Sequence, residues 1–307
     1  MNGNFRMSRD MYRWVPQECP ICEVPPTRFL GRRGGLAHRA RLGVECKVWR
    51  CRGCGLILPN PMPIPVNGLE QHYGVDPGDY FEHHDVEQKD LGAGSLLSQA
   101  ESLIGGRGKL LDVGAGRGEL LRAAKMAGWE ASGIELSRGF ADYASRRSGV
   151  EVLRKPLEEC GFPDGSFDVL ILSAVLEHLY KPNEILAEIS RILRPGGALF
   201  LDVPNEAGLY FHIGNLYQRL RGRDWVVNLA PTFSPFHVFG FTPKSLRALL
   251  TKHGFEVRKW YVYPGTSFVA AHGGLAGRLE RQASRLVTAL SRIGDLGTYI
   301  ETWAVKK

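Results

Sequence analysis

Several features of membrane or exported proteins are absent from these 307 residues. No apolar run approaches the roughly 18 residues that a bilayer-spanning helix requires, and the opening MNGNFRMSRDMYRW contains no apolar stretch of the signal-peptide kind. The chain is therefore expected to be cytoplasmic. Internal repeats and low-complexity tracts are missing as well. Cysteine is sparse at six residues, and with no export signal these are expected reduced, which excludes a disulfide framework as the source of stability. What remains is an ordinary soluble composition, 44% hydrophobic and 23% charged, in a chain long enough for one large domain and a small one.

The formal charge is +7. It suits an anionic partner such as RNA, a nucleotide-linked substrate or an acidic membrane surface, although many soluble enzymes are this basic. The charge is uneven. Residues 28–43, RFLGRRGGLAHRARLG, carry Arg32, Arg33, Arg39 and Arg41 with no acid among them, and an anionic contact is expected there first.

Four cysteines form two knuckles, Cys19-Pro-Ile-Cys22 and Cys51-Arg-Gly-Cys54, separated by 28 residues. Tetrahedral zinc held by four thiolates needs two close pairs joined by a longer loop, and each CxxC turn offers two sulfurs to one ion. Structural zinc is thus expected at Cys19, Cys22, Cys51 and Cys54; buried or redox cysteines are the alternative. Cys46 and Cys160 read as small apolar residues. Beyond the second knuckle, the prolines of LILPNPMPIP predict a stiff connection rather than helix. A zinc-binding domain with its linker is expected over residues 1–65.

From residue 66 onward apolar segments alternate with amphipathic ones. LLDVGAG is followed by GELLRAAKMAG, EASGIEL by SRGFADYASRRSG, FDVLILSAVLEHL by PNEILAEISRILRPGG, and ALFLDVPN comes next. Short strands spaced by helices imply right-handed crossovers and a parallel sheet covered on both faces, an α/β doubly wound domain. FEVRKWYVY and TYIETWAVKK add two strands after the helix TPKSLRALLTKHG.

Ligands of doubly wound sheets lie at the carboxyl ends of the strands, so contacting residues recur just after successive strands. Asp112, Gly114, Gly116, Gly118 and Glu135 do so. Glu135 follows the glycine turn at the distance where an acid accepts hydrogen bonds from ribose hydroxyls, so a ribose-bearing ligand is expected. A pyrophosphate is disfavoured, because the pattern is GxGxG rather than GxGxxG and Glu119 places a carboxylate in the first turn of the following helix.

With LLDVGAGRG, GIELS, FDVLILSAVLEHL, LRPGGALFLDVPN and HVFGFTPKSLRALLTKHGFEV in view, the chain resembles the class I S-adenosylmethionine-dependent methyltransferases over residues 110–255 and again over the last strand. The resemblance implies a seven-stranded Rossmann-like domain over residues 66–307 with S-adenosylmethionine as cofactor. Asp112, Gly114, Ala115, Gly116 and Gly118 would pass beside the methionine moiety and Glu135 with Leu136 would meet the ribose. Leu157 would cover the adenine, and Ser173 and Glu177 would line the methyl-bearing side. The knuckles, with WRCRGCGLILPNPMP and HYGVDPGDYF, are similar to zinc-headed methyltransferases that modify sugars and other small metabolites, among them C-methyltransferases of nucleotide-linked sugars.

Methyl transfer needs an aligned, dry site and, for a hydroxyl, amine or acidic carbon acceptor, a base. His237 in SPFHVFGFTP and His178 after the fourth strand are the candidates, since histidine titrates near neutrality; His237 could instead brace the phenylalanines around it, Phe233, Phe236, Phe239 and Phe241. Glu177, His178 and His237 also resemble the set, E-x-x-E-H with a later histidine, that gathers a divalent metal in ubiquinone O-methyltransferases, with Ala174 in place of the first glutamate; they would hold such a cation loosely, or Glu177 and His178 would support the cofactor loop. The segment 205–241 is too long for a plain connection and reads as a lid over the acceptor. Arg219, Arg221 and Arg223 would hold an anionic group on the substrate or form a solvated face. The helix pattern over 275–293 would rest on a membrane or pack on the sheet or on a second copy of the chain. O-methylation of a small-molecule acceptor, a sugar-containing or other secondary metabolite, is the expected function; RNA gripped by the zinc head is the competing partner, and a cofactor-binding scaffold without catalysis is the third reading.

Overall fold

The computed structural model describes residues 9–37, 43–67, 86–230, 236–265 and 274–307. Its first strands are β1 (Tyr12–Val15), β2 (Arg28–Arg33), β3 (Cys46–Arg50), β4 (Ile57–Pro59) and β5 (Met62–Pro65). Then come α1 (Val86–Ile104), β6 (Lys109–Val113), α2 (Glu119–Met126), β7 (Glu130–Ile134), α3 (Arg138–Ser148), β8 (Val152–Leu153), β9 (Phe167–Ser173), α4 (Pro182–Ile192) and β10 (Leu193–Pro204). The chain ends with α5 (Leu209–Leu220), α6 (Pro243–Lys252), β11 (Phe255–Tyr263), α7 (Gly274–Leu290) and β12 (Tyr299–Lys306).

Seven strands form one sheet in the order β11-β12-β10-β9-β6-β7-β8. The pairings of β6 with β7, β6 with β9 and β7 with β8 are parallel. This is the expected doubly wound α/β architecture, Rossmann-like and mostly parallel. Progress along the sheet reverses at β6: β7 and β8 extend to one side, and β9 returns to the other. A crevice at the carboxyl ends of β6 and β9 is the usual consequence of such a reversal.

Two compact units share the chain. One holds the described residues of Pro65–Leu201, Leu249–Lys259 and Thr302–Lys307. Its β9 has Val169, Leu170, Ile171 and Leu172 all fully buried, as a strand covered on both faces must. Val169 and Ile171 meet Leu110, Ala198, Phe200 and Trp303, and α1 and α2 cover them with Leu97, Ala100 and Ala124. Phe200 and Trp303 lie 5.0 Å apart between ring centres.

The other unit holds the described residues of Met1–Ile64, Asp202–Ala248 and Trp260–Glu301. Here β2, β3 and β4 form a three-stranded sheet and β1 pairs with β5. The proline-rich stretch, expected as a connection, is instead β4 and β5. Proline is tolerated there because both are edge strands, where one face of the ladder needs no donor. Each open edge of the three-stranded sheet is met by the segment expected to be a lid. Arg32 N–H donates to the Asp224 carbonyl at 2.6 Å and Val226 N–H to the Arg32 carbonyl at 3.0 Å, while Ile57 and Gly240 exchange two bonds of 2.9 and 2.7 Å. A β-carbon on Gly31 would lie 2.4 Å from the Asp224 carbonyl oxygen, and one on Gly240 would lie 2.6 Å from Glu206 Cγ, so both approaches require glycine. Cys46, Val48 and Ile57 then pack with Val226 and Leu229.

Among the described residues of the arginine run, Arg32 and Arg33 already have partners within the chain. Arg32 is ion-paired with Asp224 at 2.8 Å and with Glu45 at 3.3 Å, and Arg33 donates to the Val226 carbonyl at 3.3 Å. Arg39 and Arg41 lie outside the described residues, as does Phe233.

Trp303→Ala should leave a large void beneath Phe200 and lower stability by about 3–5 kcal/mol. A urea titration followed by circular dichroism reads this; a midpoint shift equivalent to under about 1 kcal/mol would mean that the ring is not a core element.

Candidate cofactor-binding site and metal centre

The turn between β6 and α2 is set by three left-handed glycines, Gly114 at φ 79°, Gly116 at 52° and Gly118 at 75°. Gly114 and Gly118 are also held by packing: a β-carbon would meet Val175 Cγ2 at 2.5 Å and the Ala144 backbone at 3.0 Å respectively. At Gly116 the nearest described atom is the Gly114 carbonyl oxygen at 4.0 Å, so space remains where a side chain would otherwise project.

Four amide hydrogens of this turn are already committed. Gly114 and Ala115 N–H both donate to the Ile134 carbonyl, at 2.8 and 2.9 Å, and Gly118 N–H donates to the Ala115 carbonyl at 2.8 Å. Gly116 N–H donates to Glu135 Oε2 at 3.0 Å, and Ser137 N–H donates to Glu135 Oε1 at 2.9 Å. A phosphate-binding turn works by pointing unpaired amides at the anion, and these four point into the chain. Glu119 was expected to repel an anion here, yet its carboxylate is bracketed by Arg117 and Arg147 at 3.2 Å each, so the case against a pyrophosphate rests on the amides rather than on that charge.

Two carboxylates, one buried and one half-buried, face this turn. Asp112, at the end of β6, is 5% exposed, and burial, reinforced by the nearby charges of Glu135 and Glu119, pushes its carboxyl up to about 7. Burial raises Glu135 as well, while the amides of Ser137, Gly116 and Leu136 pull it down. Acids held this way favour a ligand that brings positive charge or hydroxyl donors. Leu136 is half-buried beside Glu135, and Leu157 is buried at the start of a short 3-10 turn after β8. Ser173 is exposed at the end of β9, followed by Ala174 in the left-handed region at φ 54°. Glu177 is 1% exposed, and His178 Nε2 lies 4.0 Å from its carboxylate. One unit thus gathers Asp112, the glycine turn, Glu135, Leu136, Leu157, Ser173, Glu177 and His178. His237 belongs to the other unit, half-buried between Phe236 and Val238, which are both buried. From sequence, Val175, Arg117 and Arg147 take no individual role; the built turn shows what they fill or neutralise.

In the head, the sulfurs of Cys19, Cys22, Cys51 and Cys54 all lie within 4.8 Å of one another. The two knuckles repeat one backbone pattern. Glu23 N–H donates to Cys19 carbonyl and Cys19 N–H to Val24 carbonyl; Gly55 N–H donates to Cys51 carbonyl and Cys51 N–H to Leu56 carbonyl, all at 2.8–2.9 Å. The equivalent residues Glu23 and Gly55 are both left-handed, at φ 57° and 85°. A β-carbon on Gly53 would lie 2.9 Å from Cys22 Sγ, so the middle of the second knuckle must be glycine for the sulfurs to converge. Cys46 lies outside the cluster, and complete burial pushes its thiol up to about 12, consistent with an apolar packing role.

Because Asp112 is raised from an ordinary carboxylate value to about 7, the folded state binds its proton more tightly than the unfolded chain. The associated stability is complete below about pH 4 and is lost as pH rises through 7. In ligand-free protein the thermal midpoint should fall from pH 5 to pH 8, and Asp112→Asn should flatten that fall; an unchanged slope would remove Asp112 as its source.

Residues 86–259, more than half of the chain, match the family model described as a methyltransferase domain. The chain is 36% identical over 115 residues to the ubiquinone biosynthesis O-methyltransferase of Methylococcus capsulatus, a match spanning 36% of this chain and 48%, about half, of that relative. It is 27% identical over 233 residues to a probable S-adenosylmethionine-dependent methyltransferase of Mycolicibacterium smegmatis, covering 74% and 80% of the two chains. Among solved structures, the PH0226 protein of Pyrococcus horikoshii superposes with a TM-score of 0.50 at 17% identity, over 78% of this chain and all of that one, a likeness of fold alone. With its glycine turn and paired carboxylates at the carboxyl ends of a doubly wound sheet, the chain belongs to the methyltransferase domain family and carries a class I S-adenosylmethionine-dependent methyltransferase domain.

Proposed function

We propose that the protein transfers a methyl group from S-adenosylmethionine to a small-molecule acceptor, with oxygen of a sugar-containing or other secondary metabolite as the reacting atom. The observation that carries the reading is the turn itself: four of its amides are internally bonded while a buried and a half-buried acid face it, which suits a cationic, ribose-bearing donor and not a phosphate-bridged one. S-adenosylmethionine supplies an electrophilic methyl group on a sulfonium sulfur.

The chain's own residues have distinct tasks in this reading. Glu135 accepts from ribose hydroxyls while keeping Gly116 and Ser137 in place. Asp112 supplies negative charge beside the glycine turn, the more so once a cation draws its proton away. Gly114, Ala115, Gly116 and Gly118 leave backbone, not side chains, against the methionine part, and Leu136 and Leu157 offer apolar surface to the nucleoside. Ser173 and Glu177 border the methyl-bearing side. His237 or His178 takes the proton of the acceptor hydroxyl.

In the head, the four thiols form a soft, closed donor set of the kind that structural zinc occupies, where sulfurs about 2.3 Å from one ion lie under 4 Å apart. We assign Cys19, Cys22, Cys51 and Cys54 to one such ion, tying the β1–β2 connection to the β3–β4 connection through the two matched knuckles.

Calorimetry with S-adenosylhomocysteine should give one site, and methyl-labelled donor should transfer label to an acceptor in a panel of hydroxylated small metabolites. Glu135→Ala should weaken the affinity by about 10- to 100-fold, the scale of hydrogen bonds to a charged group. His237→Ala should cut turnover and leave affinity intact. Unaltered affinity in the Glu135 variant would refute the placement, and retained turnover in the His237 variant would leave His178 as the base. Metal analysis should return one equivalent of zinc per chain, reduced in Cys51→Ser; equal zinc in both proteins would dismiss the assignment.

A further inference from the structure

Helix α5 is turned inside out for a protein surface. Its inner side carries Phe211, Gly214, Asn215 and Gln218. Asn215 accepts from Val227 N–H at 2.9 Å and donates to Asn228 Oδ1 at 2.7 Å, and a β-carbon on Gly214 would lie 2.8 Å from Val227. The outer side carries Ile213, Leu216, Tyr217 and Leu220, exposed by 42%, 55%, 52% and 79%. Spaced i, i+3, i+4 and i+7, these four occupy one stripe of about 100°. A single exposed leucine needs no explanation, whereas a stripe of them marks something that covers it.

Helix α7, in the same unit, packs against α5. It continues the pattern with Leu286, Leu290 and Ile293 at i, i+4 and i+7, exposed by 61%, 42% and 63%, followed by Leu296. Of the sixteen large hydrophobic residues exposed among the described residues, six lie on these two helices and two more, Ile293 and Leu296, directly follow α7. The charge around them is mostly positive, with Glu280, Asp224 and Asp295 as the acids in or next to these segments. Arg219, Arg221 and Arg223 stand at the end of α5 with no acid in residues 209–223, and Arg278, Arg281, Arg285 and Arg292 accompany α7 with Glu280 as the single acid in residues 274–293. Arg221 donates to the Tyr217 hydroxyl at 2.7 Å, and the Arg223 guanidinium lies 4.5 Å from the centre of the Trp225 ring. Each pair combines a flat apolar ring with a cation at its edge or face, as interfacial anchors do.

We propose that this face rests on an anionic phospholipid bilayer, with the two apolar stripes at the boundary of headgroups and acyl chains and the arginines on lipid phosphates. The charge selects this occupant. A second copy of the chain, brought face to face about a two-fold axis, would set seven arginines against seven in a drying interface, a repulsive arrangement. Anionic lipid meets the same arginines with opposite charge, an attraction that adds up over the cations near the surface. The contact is peripheral, since among the described residues no helix is long and apolar enough to cross a membrane.

Sucrose-loaded vesicles test this with the full chain, independently of methyl transfer. The protein should sediment with phosphatidylcholine vesicles containing about 30% phosphatidylglycerol and stay in solution with phosphatidylcholine alone, as electrostatic attraction at the interface requires. The pair Leu216→Ser and Leu220→Ser should lower the partition coefficient at least about tenfold, and so should Arg219→Ser with Arg221→Ser; all four side chains are exposed, so the thermal midpoint should hold. Absence of sedimentation with anionic vesicles, equal sedimentation with neutral ones, or leucine variants that bind as well as the parent would overturn the proposal. A lipid-free dimer that dissociates in the leucine variants would assign the face to a second copy instead and overturn it too.

Discussion

Amide hydrogens that are already bonded decide what the turn after β6 can hold. Three left-handed glycines bend the chain, and the N–H groups of Gly114, Ala115, Gly116 and Gly118 close on Ile134, Glu135 and Ala115. Such a turn has shape but little capacity to bind an anion. Asp112 and Glu135 stand beside it, and burial raises both carboxyls. Packing and backbone geometry therefore have one origin in this part of the sheet, beside the apolar strands β6 and β9.

The unit that contains the cysteine knuckles has a comparable centre in Glu206. This residue is 3% exposed, accepts from Asn228 Nδ2 at 2.7 Å and from Leu229 N–H at 3.0 Å, and gives its own N–H to the Phe241 carbonyl at 2.8 Å. Burial pushes its carboxyl up to about 7, against the pull of Asn228, Leu229 and Arg33. Its neighbour Asn205 does similar work towards Asp295 and Gly297. Two adjacent polar residues thus gather three stretches of chain that are distant in sequence, and Leu229 is kept at φ 56° among those bonds.

Much of the fold was legible because the relevant signals are local. The alternation of apolar runs with amphipathic helices announced β6 to β10, and the CxxC spacing announced the four converging sulfurs. Glu135 stood out because its separation from the glycines is a property of one βαβ unit. What stayed hidden depends on encounters between remote segments. A bridge of one or two residues, such as Arg32 with Trp225 or Ile57 with Gly240, leaves no periodicity to read. The acid-free look of residues 28–43 misled for the same reason, because the acid that meets Arg32 is Asp224, nearly two hundred positions away. Helix α5 could be seen as aromatic and apolar, but only its packing shows that the polar side is the buried one. The prolines of residues 59–65 obscured two short strands, since their positions at sheet edges cannot be known before the sheet is.

The manner in which the small sheet's margins are sealed has a practical consequence for anyone wishing to dissect the protein. Excising the cysteine-bearing head would strip Val226 and Leu229 of the wall they lean on, leave residues 224–226 and 240 without their strand neighbours, and take Arg33 away from the Glu206 carboxyl. Grafting the head elsewhere would bare both rims of its sheet. The head is therefore not a detachable module, and deletions meant to probe it should spare β2 to β4 and alter the knuckles one side chain at a time.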